Sequence, residues 1–525
     1  MSSPVSPSTL FSHSPRSPLP YSSFSAHPET LPAFPIEVQK RILYFALVTH
    51  PRYGFTPDGH PLHPLSGQSA RQNDVRRVVE RLATHRAALT LMRVCKLWKV
   101  RKEGRFAWVN NPKTDGWQKE AAEYLYAEPH LTPNNLFLFA HALTSGDKKW
   151  SDINLHPVST PGRYVTSLDL THLRDGYETP HPTALQRVIR DIFPLIPNLR
   201  HLRLPTGPFL PLEEIRRAPF ARKLKVLEGL SVQYDNSGQT PDPVVRLLKG
   251  LPSLELVTLF GPGNIESPSW FELEETAQDV RLDKLHTLVL TGVKSGPVLH
   301  TLITSDLPAL RNLILTSYAG CPGDLTLPFQ AAHGYKVINA TYLQPKEWPG
   351  FPALPPLESL DLLPHIERLS FLLPKDLRHL SDMLKVDHPL KELRIPKWTS
   401  SPSERWEADP NNPAPVGTGA TSLMTGLVEA PPKHLERVVI DGFRWVRADL
   451  GMRALQTGDS GEMRRWADKL KGVGIDLVDM DGTKSPVFGT CSGSGIPTIG
   501  GDKGRRRSSV QTRGIVSDRL DEDGG

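Results

Sequence analysis

The sequence predicts an α/β fold: a helical N-terminal module, then a curved solenoid of repeats whose short strands form a parallel sheet, with disordered tails at both ends. Three observations lead to this prediction. A six-residue apolar pattern recurs between residues 165 and 440, two amphipathic segments precede it, and small or polar residues dominate both ends of the chain. Stacked units of this kind bury the apolar faces that a single unit leaves open.

The composition fits a packed protein of several domains. The 525 residues include 51 prolines and 3 widely separated cysteines, and the formal net charge is +6. Such cysteines provide neither a disulfide framework nor a zinc spacing, which favours a reducing compartment. The charge does not require nucleic acid, and no apolar run reaches the roughly 18 residues of a membrane span. We therefore expect a cytoplasmic or nuclear protein that binds neither nucleic acid nor a membrane.

Shifts in composition divide the chain into five parts. They are a disordered Ser/Pro-rich leader (1–30), a helical module with a long insertion at 48–86 (31–110), a helical linker or cap (111–160), the repeat region (161–480) and a disordered tail (481–525). The two ends are too polar to bury the apolar surface that would offset the entropy of an ordered chain.

Two amphipathic segments define the helical module. The first begins at Pro35, which suits the first turn of a helix because no N–H donor is needed there. The apolar residues are Pro35, Ile36, Val38, Ile42 and Leu43 in the first segment and Leu91, Val94 and Trp98 in the second. Since each segment has one apolar side, we expect the two to pack against each other.

These residues resemble an F-box, whose pattern is Leu-Pro-x-Glu-hydrophobic, then Ile-Leu, then Val-Cys-Lys-x-Trp and a later aromatic residue. The matching residues are Phe34-Pro35-Ile36-Glu37-Val38, Ile42-Leu43, Val94-Cys95-Lys96-Leu97-Trp98 and Trp108. The insertion at 48–86 departs from the short connection usual in the family. The resemblance implies docking on the adaptor subunit of a cullin–RING ubiquitin ligase through the eight apolar residues named above.

The repeat unit is hydrophobic-x-x-hydrophobic-x-hydrophobic. Nine copies occur, at 165–170, 199–204, 227–232, 254–259, 285–290, 310–315, 366–371, 390–395 and 435–440, with candidate degenerate copies at 335–340 and 470–477. A helix or loop, such as 183–192 or 243–248, is predicted to return the chain between strands. The period of about 24 to 35 residues resembles irregular leucine-rich repeats. An ordinary α/β domain with leucine-rich strands is the alternative.

No catalytic or metal-binding motif is evident in the sequence. The common phosphate-binding, zinc-protease, dinucleotide and nucleophile-elbow motifs are absent, and the 19 histidines lack metal spacing. Asp476, Asp479 and Asp481 precede Gly482, but no glutamate closes a calcium loop there. We therefore expect no enzymatic activity, no cofactor and no metal. A hydrolase or transferase with an unfamiliar site is the alternative class.

The candidate substrate-binding residues lie on the strand face that points away from the core. In each unit the third and fifth residues should point outward and the fourth and sixth inward. The outward set contains the basic residues His201, Arg203, Arg368, Arg394 and Arg437, interrupted by Asp169 and Glu392. Its central members are Leu256, Thr258, Thr287, Val289, Asn312 and Ile314. Arginines so placed suit an acidic or phosphorylated segment, and a solvated face of mixed charge is the alternative.

The motif and the repeats together predict a substrate-recruiting receptor of a cullin–RING ligase. Its partners would be the adaptor subunit and an unknown protein substrate. Such a receptor performs no bond chemistry but raises the effective concentration of substrate lysines near the ligase. The alternative is a leucine-rich-repeat scaffold without a ligase role, whose N-terminal helices only cap the solenoid.

Overall fold

The structure is a computed structural model that describes part of the chain. The described residues are 125–129, 131–145, 159–174, 182–205, 212–232, 242–261, 280–316, 318, 323–343, 360–371, 384, 388–397, 419–445 and 458–485. The predicted leader, the helical module and all eight candidate adaptor-binding residues, from Pro35 to Trp98, lie outside them, as does most of the predicted tail at 481–525.

Eight α-helices and eleven β-strands lie within the described residues. The helices are α1 (Pro133–Ser145), α2 (Pro182–Ile192), α3 (Leu212–Arg217), α4 (Pro243–Lys249), α5 (Pro297–Thr304), α6 (Thr326–His333), α7 (Gly419–Glu429) and α8 (Gly458–Gly472). The strands are β1 (Ser167–Asp169), β2 (His201–Arg203), β3 (Val226–Ser231), β4 (Leu256–Phe260), β5 (Thr287–Thr291), β6 (Asn312–Thr316), β7 (Asn339–Leu343), β8 (Arg368–Phe371), β9 (Glu392–Pro396), β10 (Arg437–Asp441) and β11 (Asp476–Asp479).

The eleven strands form one sheet, and every pair of neighbours is parallel. Their order in the sheet is their order in the chain, from β1 at one edge to β11 at the other. Each of the nine predicted units contributes a strand. The predicted α/β class with a parallel sheet is therefore confirmed for this part of the chain.

Three strands differ in position from the prediction. The third unit was predicted at 227–232, with Leu227 as its first residue. In the sheet, however, Leu227 pairs with Leu202 and Val257, which are the fourth residues of their own units. The third unit therefore begins at Leu224. The strands β7 and β11 begin later than the segments 335–340 and 470–477. The reason is that Gly334–Lys336 forms a 3₁₀ turn and α8 continues to Gly472.

Short helices return the chain between several strands, and α4 shows why they form. The Asp242 carboxylate accepts hydrogen bonds from the Val244 and Val245 amides at 2.7 and 3.3 Å, and Pro243 occupies the first helical position. Val244, Val245, Leu247 and Leu248 are buried. The connecting segments predicted at 183–192 and 243–248 are the helices α2 and α4.

One apolar core extends through the described part, from Leu131 to Leu477. Strand residues at the fourth and sixth positions point into it, and Leu288 and Leu290 of β5, for example, are fully buried. Burying one such side chain contributes about 1.5–3 kcal/mol. The helix α1 packs against α2 at the β1 end of this core, with Leu136 fully buried.

Candidate partner-binding face of the sheet

The predicted substrate-binding residues all lie on the side of the sheet that points away from this core, which we call the outer face. His201 and Arg203 flank the fully buried Leu202 on β2. The other three lie at outward positions of neighbouring strands, namely Arg368 on β8, Arg394 on β9 and Arg437 on β10. Strands β3–β7 separate the two sets. The structure therefore makes two basic groups rather than one continuous row.

The first group belongs to an ion-pair cluster, which we call the β1–β3 cluster: Asp169, His201, Arg203 and Glu228. Arg203 donates from Nε to Glu228 Oε2 at 2.7 Å, and its Nη1 lies 3.3 Å from Asp169 Oδ2. His201 Nε2 lies 3.0 Å from Glu228 Oε1. The side chains of Arg203 and Glu228 are each 15% exposed. Arg203 is thus held between two carboxylates that neutralise it.

Glu228 is ionised although it is buried. Burial by itself raises the pKa of a carboxyl group, but the charge of Arg203 and hydrogen bonds from His201 and Arg203 outweigh this effect. Together they hold the pKa of Glu228 well below its usual range. The carboxylate is therefore a permanent negative charge of the cluster at neutral pH.

Glu228 lies opposite Arg203 in the regular β2–β3 register, at the point where β3 bulges against β4. The register of β3 shifts against β4 between Leu227 and Leu230, which gives β3 one extra residue. Gly229 in this bulge has a φ of 86°, and a Cβ there would lie 2.2 Å from the Leu204 carbonyl oxygen. Only glycine fits such a position. Sequence reasoning missed Glu228, although an isolated glycine within a strand pattern signals a bulge.

The centre of the outer face is buried. Val289 on β5, Ile314 on β6 and Leu343 on β7 form a second apolar cluster and are 4%, 2% and 6% exposed. The outward Thr258 and Thr287 are also buried. Parallel strands that are buried on both faces read as nearly continuous apolar runs, as the sequences of β4 and β5 do. The alternative of a solvated face of mixed charge therefore does not hold for the described centre of the sheet.

A ladder of amides also crosses this buried centre. Asn339 Nδ2 donates to Asn312 Oδ1 at 2.6 Å, and Asn312 Nδ2 donates to Thr287 Oγ1 at 2.9 Å. The three residues lie opposite one another on β7, β6 and β5. A one-residue slip of any of these strands would break the ladder, so it helps to fix their register.

The second basic group, which we call the basic end, consists of Arg368, Arg394 and Arg437. Two carboxylates lie among these residues: Arg437 Nε is 2.5 Å from Glu392 Oε2, and Arg394 Nη1 is 3.4 Å from Asp441 Oδ1. The Glu392 side chain is 4% exposed, whereas that of Arg437 is 42% exposed. The basic end is therefore held together by ion pairs between neighbouring strands, as the β1–β3 cluster is.

A set of buried polar residues lies where β5 and β6 end, and sequence reasoning missed it. Its buried members are Thr291, Lys294, Ser295 and Thr316, and the half-buried Asp324 lies beside them. The Gly292 amide donates to Thr316 Oγ1 at 3.2 Å, and the Leu325 amide donates to the Lys294 carbonyl oxygen at 2.9 Å. Burial raises the pKa of Asp324, against the opposing effects of Thr326 and Lys294. These contacts tie the start of α5 to the start of α6.

Two buried histidines connect neighbouring units. His333 Nε2 lies 2.9 Å from the Leu302 carbonyl oxygen, and His388 Nε2 lies 2.9 Å from that of Leu363. Each ring donates an N–H to its carbonyl in the neutral form. Burial lowers the pKa of both histidines, although the carbonyl contacts oppose the shift. The two rings are therefore neutral structural links at physiological pH.

Metal binding finds no support in the part of the chain that the structure describes, where no three His, Cys, Asp or Glu side chains cluster. Of the predicted aspartate series, Asp479 accepts through Oδ1 from the Asp481 and Thr483 amides at 3.0 and 2.8 Å. Its Oδ2 accepts from the Trp445 amide at 3.2 Å. These oxygens hold a turn together.

No family model matches this chain, and no curated protein is significantly similar to it in sequence. Among the described helices, none is both long and apolar enough to cross a membrane. The function must therefore be argued from the motif, the strand order and the chemistry of the outer face.

Proposed function

We propose that this chain is a substrate-recruiting receptor of an SCF-type cullin–RING ubiquitin ligase in the cytoplasm or nucleus. The F-box-like module at 31–110 docks on the adaptor subunit. The repeat region is a curved, irregular leucine-rich-repeat solenoid that binds the protein substrate. The receptor brings substrate lysines close to the ligase and performs no bond chemistry itself.

The strand order is the observation that carries the proposal. In doubly wound α/β domains the order of parallel strands reverses at a switch point. Here each of the eleven strands pairs only with the strands next to it in the chain. Contacts between nearest neighbours alone are typical of solenoids, which present extended surfaces to protein partners. This order supports a repeat protein over an ordinary α/β domain.

The two ends of the outer face support a role in protein binding. Each end presents arginines paired with carboxylates of neighbouring strands, Arg203 at one end and Arg394 and Arg437 at the other. Charged groups placed in this way on a binding surface fix the register of a bound segment. Guanidinium groups also bind carboxylates and phosphates through paired hydrogen bonds.

Copurification with the adaptor subunit tests the ligase part of the proposal. The wild-type chain should retain the adaptor, and the combined variant Pro35→Ala, Val38→Ala and Trp98→Ala should lose it, because these residues carry the resemblance to the F-box. Leu138→Ala is the matched control, since this apolar side chain on α1 is 70% exposed and lies outside the module.

The circular dichroism spectrum of each variant should match that of the wild type, so that a loss of binding is not a loss of fold. If the folded wild-type chain fails to retain the adaptor, the ligase role is wrong. The leucine-rich-repeat scaffold without a ligase connection then becomes the function that the fold supports.

A further inference from the structure

We propose that the rim of the sheet where the strands begin is a further binding surface in the first four repeat units, and that it binds an acidic protein segment. We call this surface the amino rim. It consists of nine exposed basic residues: Arg163, Arg190, Arg200, Arg216, Arg217, Arg222, Lys223, Arg246 and Lys249. The amino rim is separate from the outer face, and its role does not depend on the adaptor docking proposed above.

The parallel strands bring these residues to the same rim. A helix between two parallel strands returns the chain from the end of one strand to the start of the next, so its last turn lies beside a strand start. The last turns of α2, α3 and α4 contribute Arg190, Arg216, Arg217, Arg246 and Lys249. Two 3₁₀ turns that precede β1 and β3 contribute Arg163, Arg222 and Lys223. Arg200 comes directly before β2.

Contacts between neighbouring units join these residues into one surface. Lys223 Nζ donates to Asn198 Oδ1 at 2.9 Å, and Asn198 Nδ2 donates to the Arg163 carbonyl oxygen at 2.9 Å. These two bonds link the first three units. A Cβ at Gly250 would lie 2.7 Å from Arg216 Cγ, so the Arg216 side chain packs over the end of α4. The amino rim is therefore continuous from the first unit to the fourth.

The amino rim has more positive charge than its carboxylates neutralise. Glu214 pairs with Arg190, and Glu213 pairs with both arginines of α3. Asp191, an exposed carboxylate at the end of α2, offsets one further charge. Among the described residues no ion pair forms at the remaining six cations, which are Arg163, Arg200, Arg222, Lys223, Arg246 and Lys249.

The stability of the helices does not account for this charge. Cations in the last turn of a helix do stabilise it through the helix dipole. The helices α5, α6 and α7, however, have neither arginine nor lysine in their last turns. The solenoid therefore forms helices of similar length without such cations, and their concentration in the first four units points to a partner.

The absence of apolar side chains from the amino rim favours an acidic protein over the other anionic partners. In the described part of the chain the exposed large apolar residues are Phe137, Leu138 and Tyr335, and none of them belongs to the rim. The rim thus offers no ring on which a nucleic-acid base could stack and no apolar group that could enter a membrane.

The spacing of the cations also suits a protein segment. Neighbouring helices pack about 8–10 Å apart, and carboxylates three residues apart in an extended segment lie about 10 Å apart. A nucleic-acid duplex has one charge per about 1.7 Å of its axis, which is far denser. Guanidinium groups bind carboxylates through paired hydrogen bonds. An extended segment with acidic residues at every third position would therefore meet one unit after another.

Fluorescence anisotropy of a labelled polyglutamate peptide, about 12 residues and about 40 Å long when extended, tests this proposal on the full-length chain. The wild type should bind the peptide, and its affinity should fall as salt is raised. The combined variant Arg222→Gln, Arg246→Gln and Lys249→Gln should bind about tenfold more weakly, because three exposed charge contacts are lost. These side chains form no ion pairs, so the circular dichroism spectrum should remain that of the wild type.

The combined variant Arg465→Gln, Lys469→Gln and Lys471→Gln is the matched control. It removes the same number of positive charges from exposed positions on α8, next to the last strand β11. Its affinity for the peptide should stay within about twofold of the wild type.

Three results would overturn the proposal. If polyglutamate does not bind the folded wild-type chain at low salt, the amino rim is only a solvated surface. If both combined variants weaken binding equally, the peptide responds to the net charge of the chain and not to this surface. If a short DNA duplex binds more tightly than polyglutamate and loses affinity in the rim variant alone, the partner is a nucleic acid and not an acidic protein.

Discussion

Replacing Arg203 with methionine should show whether the β1–β3 cluster behaves as a buried or as a surface ion pair. The Arg203 Nε lies 2.7 Å from Glu228 Oε2 and its Nη1 lies 3.3 Å from Asp169 Oδ2, and none of the three side chains is more than 15% exposed. Removing one partner of a buried pair costs about 3–5 kcal/mol, because an unpaired charge remains buried. Arg203→Met takes the arginine away from two buried carboxylates at once, although Glu228 keeps its His201 contact, so we expect a loss of about 4 kcal/mol.

The change Glu228→Gln should cost less, because Arg203 retains its contact with Asp169. We expect about 2 kcal/mol. In the double variant Arg203→Met with Glu228→Gln, the loss of unfolding free energy should be smaller than the sum of the two single losses. The reason is that both single changes remove the same Arg203–Glu228 contact. Equilibrium urea unfolding followed by circular dichroism measures all three variants, and the dependence of the free energy of unfolding on urea should keep its wild-type slope.

Glu213→Gln on α3 is the matched control. Arg216 and Arg217 hold the pKa of Glu213 at about 2, chiefly through the Arg216 hydrogen bond, but this cluster lies on the exposed surface. Solvent screens such pairs, so the stability should hardly change. If Arg203→Met and Glu228→Gln each cost less than about 1 kcal/mol, the β1–β3 cluster is a screened surface pair and the reasoning from burial is refuted.

Three further changes test other parts of the sheet. Gly229→Ala should destabilise the chain by about 1–3 kcal/mol in urea unfolding, because alanine is strained at a φ of 86° and its Cβ meets a carbonyl oxygen; an unchanged midpoint contradicts the bulge. Asn312→Ala should cost about 1–3 kcal/mol in the same assay, because it leaves the Asn339 amide without its acceptor, and Asn312→Asp should recover part of this loss. The free energy of unfolding should be constant above the ordinary histidine pKa of 6.5 and fall as the pH drops below it. The reason is that the pKa values of His333 and His388 are lowered in the folded chain, so the unfolded chain takes up protons first. The double variant His333→Asn with His388→Asn should flatten this pH dependence.

The strands were predictable from the sequence because each unit repeats one template. The positions of Leu288, Leu313 and Leu369 in the core follow directly from the alternation of strand side chains. The register of β3 was not predictable in this way. Because β3 contains an extra residue at Gly229, both Leu224 and Leu227 can be taken as the first residue of the repeat unit. Only the pairing with β2 and β4 shows that the unit begins at Leu224.

The chemistry of the outer face was predictable only in part. The sequence identified the arginines, since their outward positions follow from the pattern. It did not show that Arg203 and Arg437 have carboxylate partners, because Glu228 and Glu392 reach them across strands about 25 to 45 residues away in the chain. Burial of Val289 and Ile314 on the outward side was likewise hidden, because an alternating pattern cannot tell whether a second face is covered.

The sequential strand order has a consequence for how the sheet opens. Within the described sheet the inner strands each pair with two neighbours, whereas β1 and β11 each pair with one, so the cost of separating a strand should be lowest there. Unfolding should therefore start at β1 or β11 and move inward, and amide hydrogens of β5 and β6 should exchange last. Each charged end of the outer face lies near one of these edges. A partner that binds there would stabilise the least stable strands of the sheet and slow unfolding from that edge.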